Sequence, residues 1–581
     1  MPLDTLILDA VAKELQTVIT GSSVQKVYEP SRKVIILNLY SQGQQHYLLL
    51  SFDAHYGRVH LTETRLKMKP SKEQPSPFCM LLRKYLIGGK VSSIVTPPLE
   101  RIIEITFDPP DGFPAVKLIA ELMGRRSNLI LINNSKTILG AARTVSIDNN
   151  PYRAILPGEI YREAPGQNKL NPLEMEQVDF KEQFRAHFST EGKTPEESLL
   201  KTVGGISPLI AREMIYRISG TDQFALDKLD PLYKALKELF YNTEQGLHKP
   251  LWYAKMGVCS SIRLSFQQQE QPVLFPDFNS MLDQCYTELI GAANEDAEKK
   301  MLSNAVQKRI NSLKRKKDAL GKDLQKAEKA PQYRIFGELL LTFGERVPRG
   351  AKSVELPNLY DPDTTVSVPL KPAETAAANA KRYFNLYRKA KTGREKVQKQ
   401  LRLVDHEINY CQSILYSIET GNMSSLTEIR QELVKAGYLK NKQKNKSKTD
   451  SLPQPLSFKT SAGRTILVGR NNRQNDYVTF KAAVRRDIWF HIRQLPGSHV
   501  LLKETNWPPL EQDLQEAAFL AAFFSRGCDK SAVDIDYTEI RHVRRQPGGK
   551  PGLVYYDHYK TINANPLDPS MRKLFNLDKP L

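Results

Sequence analysis

The residues best suited to chemistry cluster late in the chain. Asp487-Ile488-Trp489-Phe490-His491-Ile492-Arg493 alternates as an extended strand does: Ile488, Phe490 and Ile492 share one face, Trp489, His491 and Arg493 the other. An indole, an imidazole and a guanidinium in a row suit stacking on nucleobases and contact with phosphate. The competing use of that face is packing of Trp489 and His491 beneath the helix expected over Glu511 to Phe524. Pro496-Gly497-Ser498-His499 then makes a tight turn, and Arg470 opens a polar loop at Gly469-Arg470-Asn471-Asn472. Arg541, His542, Arg544, Arg545 and Lys550 gather around a turn at Gly548-Gly549. On one surface these groups would track a phosphate backbone; taken singly, each reads as a solvated charge.

A C-terminal α/β domain, 453–581, must hold that strand, and Pro453 and Pro455 mark its start. Before it, Lys440, Lys442, Lys444, Lys446 and Lys448 alternate with Asn, Gln and Ser, the composition of a linker, taken as 436–452. Further back lie two long helical patterns, 280–329 and 373–420. In the second, Tyr383, Tyr387, Ala390, Arg394, Val397, Leu401, Val404, Ile408, Cys411, Leu415 and Ile418 are spaced alternately by four and three. Leu302, Val306, Ile310, Leu313, Leu320 and Leu324 do the same in the first, with Lys317 in the gap. This is coiled-coil spacing, and each arm would reach roughly 70 Å. The simplest pairing is one antiparallel hairpin over 271–435. Its return, 330–372, holds six prolines and is expected to form a small irregular cap.

Residues 198–220, SLLKTVGGISPLIAREMIYRISG, place Gly204-Gly205 between two apolar helices, the second opened by Ser207-Pro208. That is the layout of a helix–hairpin–helix, here within 175–270. Its glycines let backbone approach a phosphate, and the second helix offers free N–H groups; an ordinary αα-turn is the plainer reading. Residues 1–174 read as mixed α/β, with a helix from Leu3 to about Val18 and strands including Arg101 to Phe107, Val116 to Met123 and Asn128 to Asn133. Gly124-Arg125-Arg126-Ser127 joins the last two and carries adjacent arginines. The fold class expected is therefore multidomain α+β: a mixed α/β N-terminal domain, a helix–hairpin–helix, a long antiparallel coiled coil and a C-terminal α/β RNA-binding domain.

The 84 basic residues outnumber the 64 acidic by 20, which points to a polyanionic partner. No basic amphipathic or lipidation signal favours a membrane, so nucleic acid is preferred. No run is apolar and long enough to span a bilayer, and Met1-Pro2-Leu3-Asp4 lacks a basic leader, so a cytoplasmic protein is expected. The five cysteines form no C-x-x-C pair and read as buried free thiols. Ten histidines are dispersed, and neither metal nor cofactor is expected. Walker A, H-E-x-x-H and G-x-S-x-G patterns are absent.

The string GRNNRQND…DIWFHIRQLPGSHV resembles the C-terminal RNA-binding domain of the NFACT family. FCMLLRKYL at 78–86, PLERII at 98–103 and ELMGRRSNLIL at 121–131 resemble its N-terminal domain, and the order of parts agrees over essentially the whole chain. The resemblance implies binding to a large (50S) ribosomal subunit obstructed by peptidyl-tRNA, through ribosomal RNA, with the coiled coil reaching a stalk-base protein. It implies capture of alanine tRNA by the N-terminal domain and untemplated alanine tailing of the stalled chain for degradation. Peptide-bond formation then belongs to the ribosome, so no enzyme is expected, and the self-folded hairpin suits a monomer. The family's tRNA-selecting Asp-Arg pair falls on Glu100 and Arg101, with Asp4 at the family's N-terminal acid; Arg125 and Arg126 join this tRNA-binding set. The C-terminal RNA-binding set is Asp487, Trp489, His491, Arg493, Ser498, His499, Arg470, Arg544 and Arg545. Glu at position 100 still accepts hydrogen bonds from a base edge but reaches one methylene further than Asp, and this departure from the family pattern bears on tRNA preference and tailing.

Three other readings compete. A family member that binds ribosomes without tailing follows from Glu100. An extracellular-matrix adhesin follows from the fibronectin-binding label that bacterial members carry, although no secretion signal, wall anchor or disulfide set supports it. A DNA glycosylase with a Pro2 amine nucleophile lacks the adjacent glutamate, since Leu3 stands there, and lacks a four-Cys zinc finger.

Overall fold

The computed structural model describes residues 3–63, 74–110, 114–148, 152–165, 168–189, 192–221, 224–440, 453–503, 509–546 and 549–577. Pro2, Gly548 and most of the lysine-rich linker lie outside these. The chain divides into two compact units, Met1–Ala292 and Ala293–Leu581.

The first unit is built on an antiparallel sheet of nine strands among the described residues. One meander runs through Ser23–Ser31, Val34–Ser41, Gln44–Ser51 and Arg58–Leu61. A second runs through Lys90–Val95, Ile102–Asp108, Val116–Glu121, Asn128–Asn133 and Ile138–Ala141. The meanders join where Ser23 pairs with Lys90. Parts of the second meander read as unbroken apolar runs because both faces are covered. In Asn128–Asn133, Leu129 and Leu131 enter the main core, while Ile130 and Ile132 enter a second core with Ile102, Ile119 and Tyr161. Helix Thr5–Ile19, capped by the Asp4 carboxylate on the Ile7 N–H at 2.8 Å, lays Leu8, Val11, Ala12 and Leu15 on the main core.

The other face of that helix carries Leu6 into a helical cluster. It contains Gln177–Phe188, Pro195–Thr202, Pro208–Ser219 and Leu229–Glu244. Thr194 and Glu197 form a capping box on the second of these; Ser207 caps the third, and Pro208 takes its first position. The helix–hairpin–helix expected at 198–220 is thus Pro195–Thr202 and Pro208–Ser219, joined through Gly204-Gly205.

In the second unit, residues of helix Phe278–Ala327 pair with helix Ala376–Thr420. Arg309 meets Glu407 at 2.7 Å and Lys317 meets Asp405 at 2.6 Å, so the two run in opposite directions. Leu302, Val306, Ile310 and Leu313 pack with Val404, Cys411 and Ile418 from the heptad seam. Tyr410 and Ile414 are also buried, although off the seam, because helix Met423–Lys435 closes a third side. The return segment corrects the expectation of an irregular cap. It is a helix, Ala330–Thr342, and a regular hairpin, Ser353–Asn358 with Asp361–Pro369, closing their own core around Phe336, Leu356 and Val368. Pro331 lies in the helix's first turn, where a missing N–H costs nothing, and Pro357 and Pro369 lie near strand ends.

The C-terminal part is a six-stranded sheet in the order Leu456–Lys459, Thr465–Val468, Val500–Leu502, Ile488–Ile492, Val533–Glu539, Lys560–Ala564, among the described residues. Helix Glu511–Phe523 packs on one face against Ile488, Phe490 and Ile492. A small hairpin, Val543–Arg545 with Val554–Tyr556, sends Tyr556 to the other.

Candidate nucleic-acid interface

In the first unit a cleft of about 780 Å³ is lined by Asp4, Glu100, Arg101, Arg126, Lys169 and Ser207, among others. Distant stretches build it, among them the cap of the first helix, the Pro98–Arg101 turn, the start of helix Pro208–Ser219 and the stretches that carry Arg126 and Lys169. Asp4 is buried, accepts a hydrogen bond from Ser207, and has its carboxyl pushed up to about 6, chiefly by burial, with the bonds from Ile7 and Ser207 and the Arg101 charge opposing. Burial also raises Glu100, against the pull of Arg101 and Lys169, and burial lowers Lys169. The cleft therefore juxtaposes acids that hold protons unusually well with cations, which suits hydrogen bonding to polar base edges.

The tight turn has a packing cause. Leu99 is left-handed at φ 61°, and its side chain fills the space above Gly205, itself at φ 72°. Thr5 donates to the Gly205 carbonyl. The two glycines thus admit Leu99, whereas the sequence suggested close approach to a phosphate. Of the paired arginines, Arg126 lines the cleft; Arg125 is exposed beside it, and its carbonyl accepts from Arg143 at 2.8 Å. Both stand on the short 3₁₀ turn Gly124–Arg126.

The C-terminal set is partly corrected. Trp489 is fully buried, but it does not pack beneath helix Glu511–Phe523, nor does it face solvent. Tyr556 covers it at 4.9 Å between centroids, with His491 stacked at 5.6 Å and His499 edge-on at 5.1 Å. An intact strand therefore offers no indole to a base. Burial pushes His491 down to about 4 and His499 well below the ordinary imidazole value, so neither imidazole supplies positive charge at neutral pH. Asp487 is buried and salt-bridged to Lys503 at 2.7 Å, and Ser498 is buried with its hydroxyl donating to Phe524 O at 2.9 Å. Trp489, His491, His499, Asp487 and Ser498 therefore shape the sheet. The loop from Gly469 is likewise closed: Asn471 caps helix Asn472–Phe480 and donates to Glu428 at 2.7 Å, leaving Arg470 half-buried.

Charge remains at the surface on Arg493, Arg544 and Arg545. Arg493 lies over the Tyr559 ring at 5.8 Å, and Arg545 over Phe480 at 4.5 Å while pairing with Asp476 at 2.8 Å. Cations held against aromatic rings at the surface suit contact with phosphates and bases. Sequence reasoning missed Lys169 and Ser207, which no local pattern links to Asp4, and Tyr559, whose ring supports Arg493.

The family model described as NFACT N-terminal and middle domains matches residues 4–451, and that described as NFACT protein RNA binding domain matches 454–555. The chain belongs to the NFACT family. It is 34% identical to the Rqc2 homolog RqcH of Bacillus subtilis (strain 168), over 99% of this chain and 100% of that one. It is 30% identical over 139 residues to the human ribosome quality control complex subunit NEMF, covering 24% of this chain and 12% of that one. Among solved structures, the C-terminal part of the fibronectin/fibrinogen-binding protein from Streptococcus suis is 27% identical, covers 48% of this chain and 99% of its own, and superposes with a TM-score of 0.40. As an NFACT protein the chain is a relative of ribosome quality control factors. No helix among the described residues is long and apolar enough to cross a membrane.

Proposed function

We infer that this NFACT protein acts in ribosome quality control, binding large subunits obstructed by peptidyl-tRNA and recruiting alanine tRNA so that the stalled chain is extended by untemplated alanines. The observation that carries this reading is the cleft that gathers Asp4, Glu100, Arg101 and Arg126 from separate elements. Polar groups of both kinds in a concave site fit an unstacked base and its phosphate. The surface arginines of the C-terminal sheet and the surplus of 20 positive charges support contact with ribosomal RNA. In this reading the protein delivers and positions tRNA in the cytoplasm, as a monomer, and the ribosome's own centre forms the peptide bond. The coiled-coil arm reaches a stalk-base protein.

The test is mild affinity purification of the wild type and of Glu100→Ala with Arg101→Ala, followed by sequencing of bound RNA. The wild type should carry large-subunit RNA and one enriched alanine tRNA; the double variant should keep the first and lose the second. Unchanged tRNA in the variant sinks the assignment of the cleft. The second reading, a ribosome-binding member without tailing, is favoured by Glu100 itself, whose longer side chain replaces the family's Asp. Ribosomal RNA with no enriched tRNA in the wild type would select it.

A further inference from the structure

Ten histidines dispersed in the sequence gave no sign of a metal cluster. Folding brings three ligand-bearing residues together at the base of the small C-terminal hairpin. Among the described residues, His542, Asp557 and His558 each offer one ligand atom, all within 4.8 Å of one another. His542 ends the turn Ile540–His542 that enters the hairpin, and the other two follow the strand that leaves it.

The backbone that presents them is pinned. Asp557 N–H donates to His542 O at 3.3 Å, tying the two ends of the hairpin. The Thr538 hydroxyl bonds the carbonyls of both Asp557, at 3.1 Å, and His558, at 3.2 Å. His558 is held in the left-handed region at φ 51°, a conformation costing a non-glycine residue about 1 kcal/mol or more. That backbone turns its ring towards His542, with centroids 4.7 Å apart and planes crossed at 67°.

One pair already has the spacing of coordination, and the third ligand atom lies within 4.8 Å of both. His542 Nδ1 and Asp557 Oδ1 are 3.3 Å apart, longer than an ordinary N–H···O hydrogen bond. Two ligand atoms, each about 2.0–2.1 Å from a tetrahedral ion, lie about 3.3 Å apart. We propose that His542, Asp557 and His558 form a site for a divalent transition-metal ion of the zinc class, with two imidazoles and one carboxylate as ligands. Such a donor set suits borderline ions such as Zn²⁺, Co²⁺ and Ni²⁺ better than Mg²⁺ or Ca²⁺. Three protein ligands leave a tetrahedral position open to water.

One neighbour must move. Arg541 Nε donates to His542 Nε2 at 3.2 Å, which leaves the ring proton on Nδ1. A metal on Nδ1 requires that proton on Nε2, so Arg541 must turn aside. Its side chain is half-exposed and already bonded to Glu539 at 2.8 Å, so it can do so without leaving a buried charge unpaired.

The experiment uses the full chain, stripped of metal by chelation. Zn²⁺ binding is followed by calorimetry, and Co²⁺ is the visible-absorption probe. The wild type should bind a single equivalent with Co²⁺ bands of nitrogen and oxygen ligation. His558→Ala and Asp557→Asn, both at exposed positions, should weaken that equivalent roughly tenfold or more while leaving the melting temperature of the metal-free protein unchanged. Wild type that binds no equivalent, binding equal in both variants, or bands of thiolate ligation would each overturn the proposal.

Discussion

Leu99 and Gly205 fit so closely that a Cβ on Gly205 would lie 2.6 Å from the Leu99 Cδ2. The contact holds the Glu100-Arg101 turn against the helix–hairpin–helix, and it depends on a position without a side chain. Gly205→Ala should therefore fail twice, through the φ of 72° and through the clash, and cost about 2 kcal/mol or more. Thermal unfolding measures it; a variant melting with the wild type would show that the turn moves freely.

The two arginines after Gly124 should separate in function. Arg126 lines the cleft and Arg125 does not. Arg126→Ala should weaken tRNA binding about tenfold, the worth of a lost charge-assisted contact. Arg125→Ala should weaken it by much less. Filter binding of purified tRNA decides, and equal losses would mean that charge alone, without the cleft, sets affinity.

Trp489 should behave as a core residue. Trp489→Ala should destabilise the protein by about 3–5 kcal/mol. Trp489→Phe should cost far less, because the buried indole N–H has no hydrogen-bond partner among the described residues. Arg544→Ala, at an exposed position, should leave stability within about 0.5 kcal/mol and lower RNA affinity. Denaturant unfolding with an RNA titration on the same samples tests both; a Trp489→Ala protein of normal stability would return the indole to the surface.

Glu432 gives a pH signature. It is buried between Tyr410, whose hydroxyl donates to it at 2.6 Å, and Asn472 at 3.2 Å, and burial pushes its carboxyl from 4.5 up to about 7. The folded state holds this proton more tightly than the unfolded state, so ionisation removes stability as pH rises from 4.5 to about 7. Glu432→Gln, which mimics the protonated acid, should be more stable than the wild type at pH near 8, by on the order of 2 kcal/mol. The difference should shrink to nothing near pH 4. Melting curves across that range check it, and a pH-independent difference would assign the effect to packing.

Local pattern carried much of this protein. Alternation identified the faces of Ile488–Ile492, four-three spacing identified the paired helices, and Ser207-Pro208 marked where the second helix of the helix–hairpin–helix opens. These features depend on neighbours within a turn or two, so the sequence by itself determined them. It also pointed to a polyanionic partner, since net charge does not depend on folding.

The tertiary structure decided what covers each face. The alternation at Trp489 shows which side the indole takes, but only the approach of Tyr556 and His499 decides that the side is closed. Prolines in the return segment exclude a continuous helix, yet leave open the hairpin that packing with Phe336 stabilises. Asp4 and Ser207, and likewise His542 and His558, meet because chain far from each in sequence, or turned back by a hairpin, is brought alongside. Such meetings are paid for by burial summed over a whole core, and a single stretch of residues holds no record of that sum.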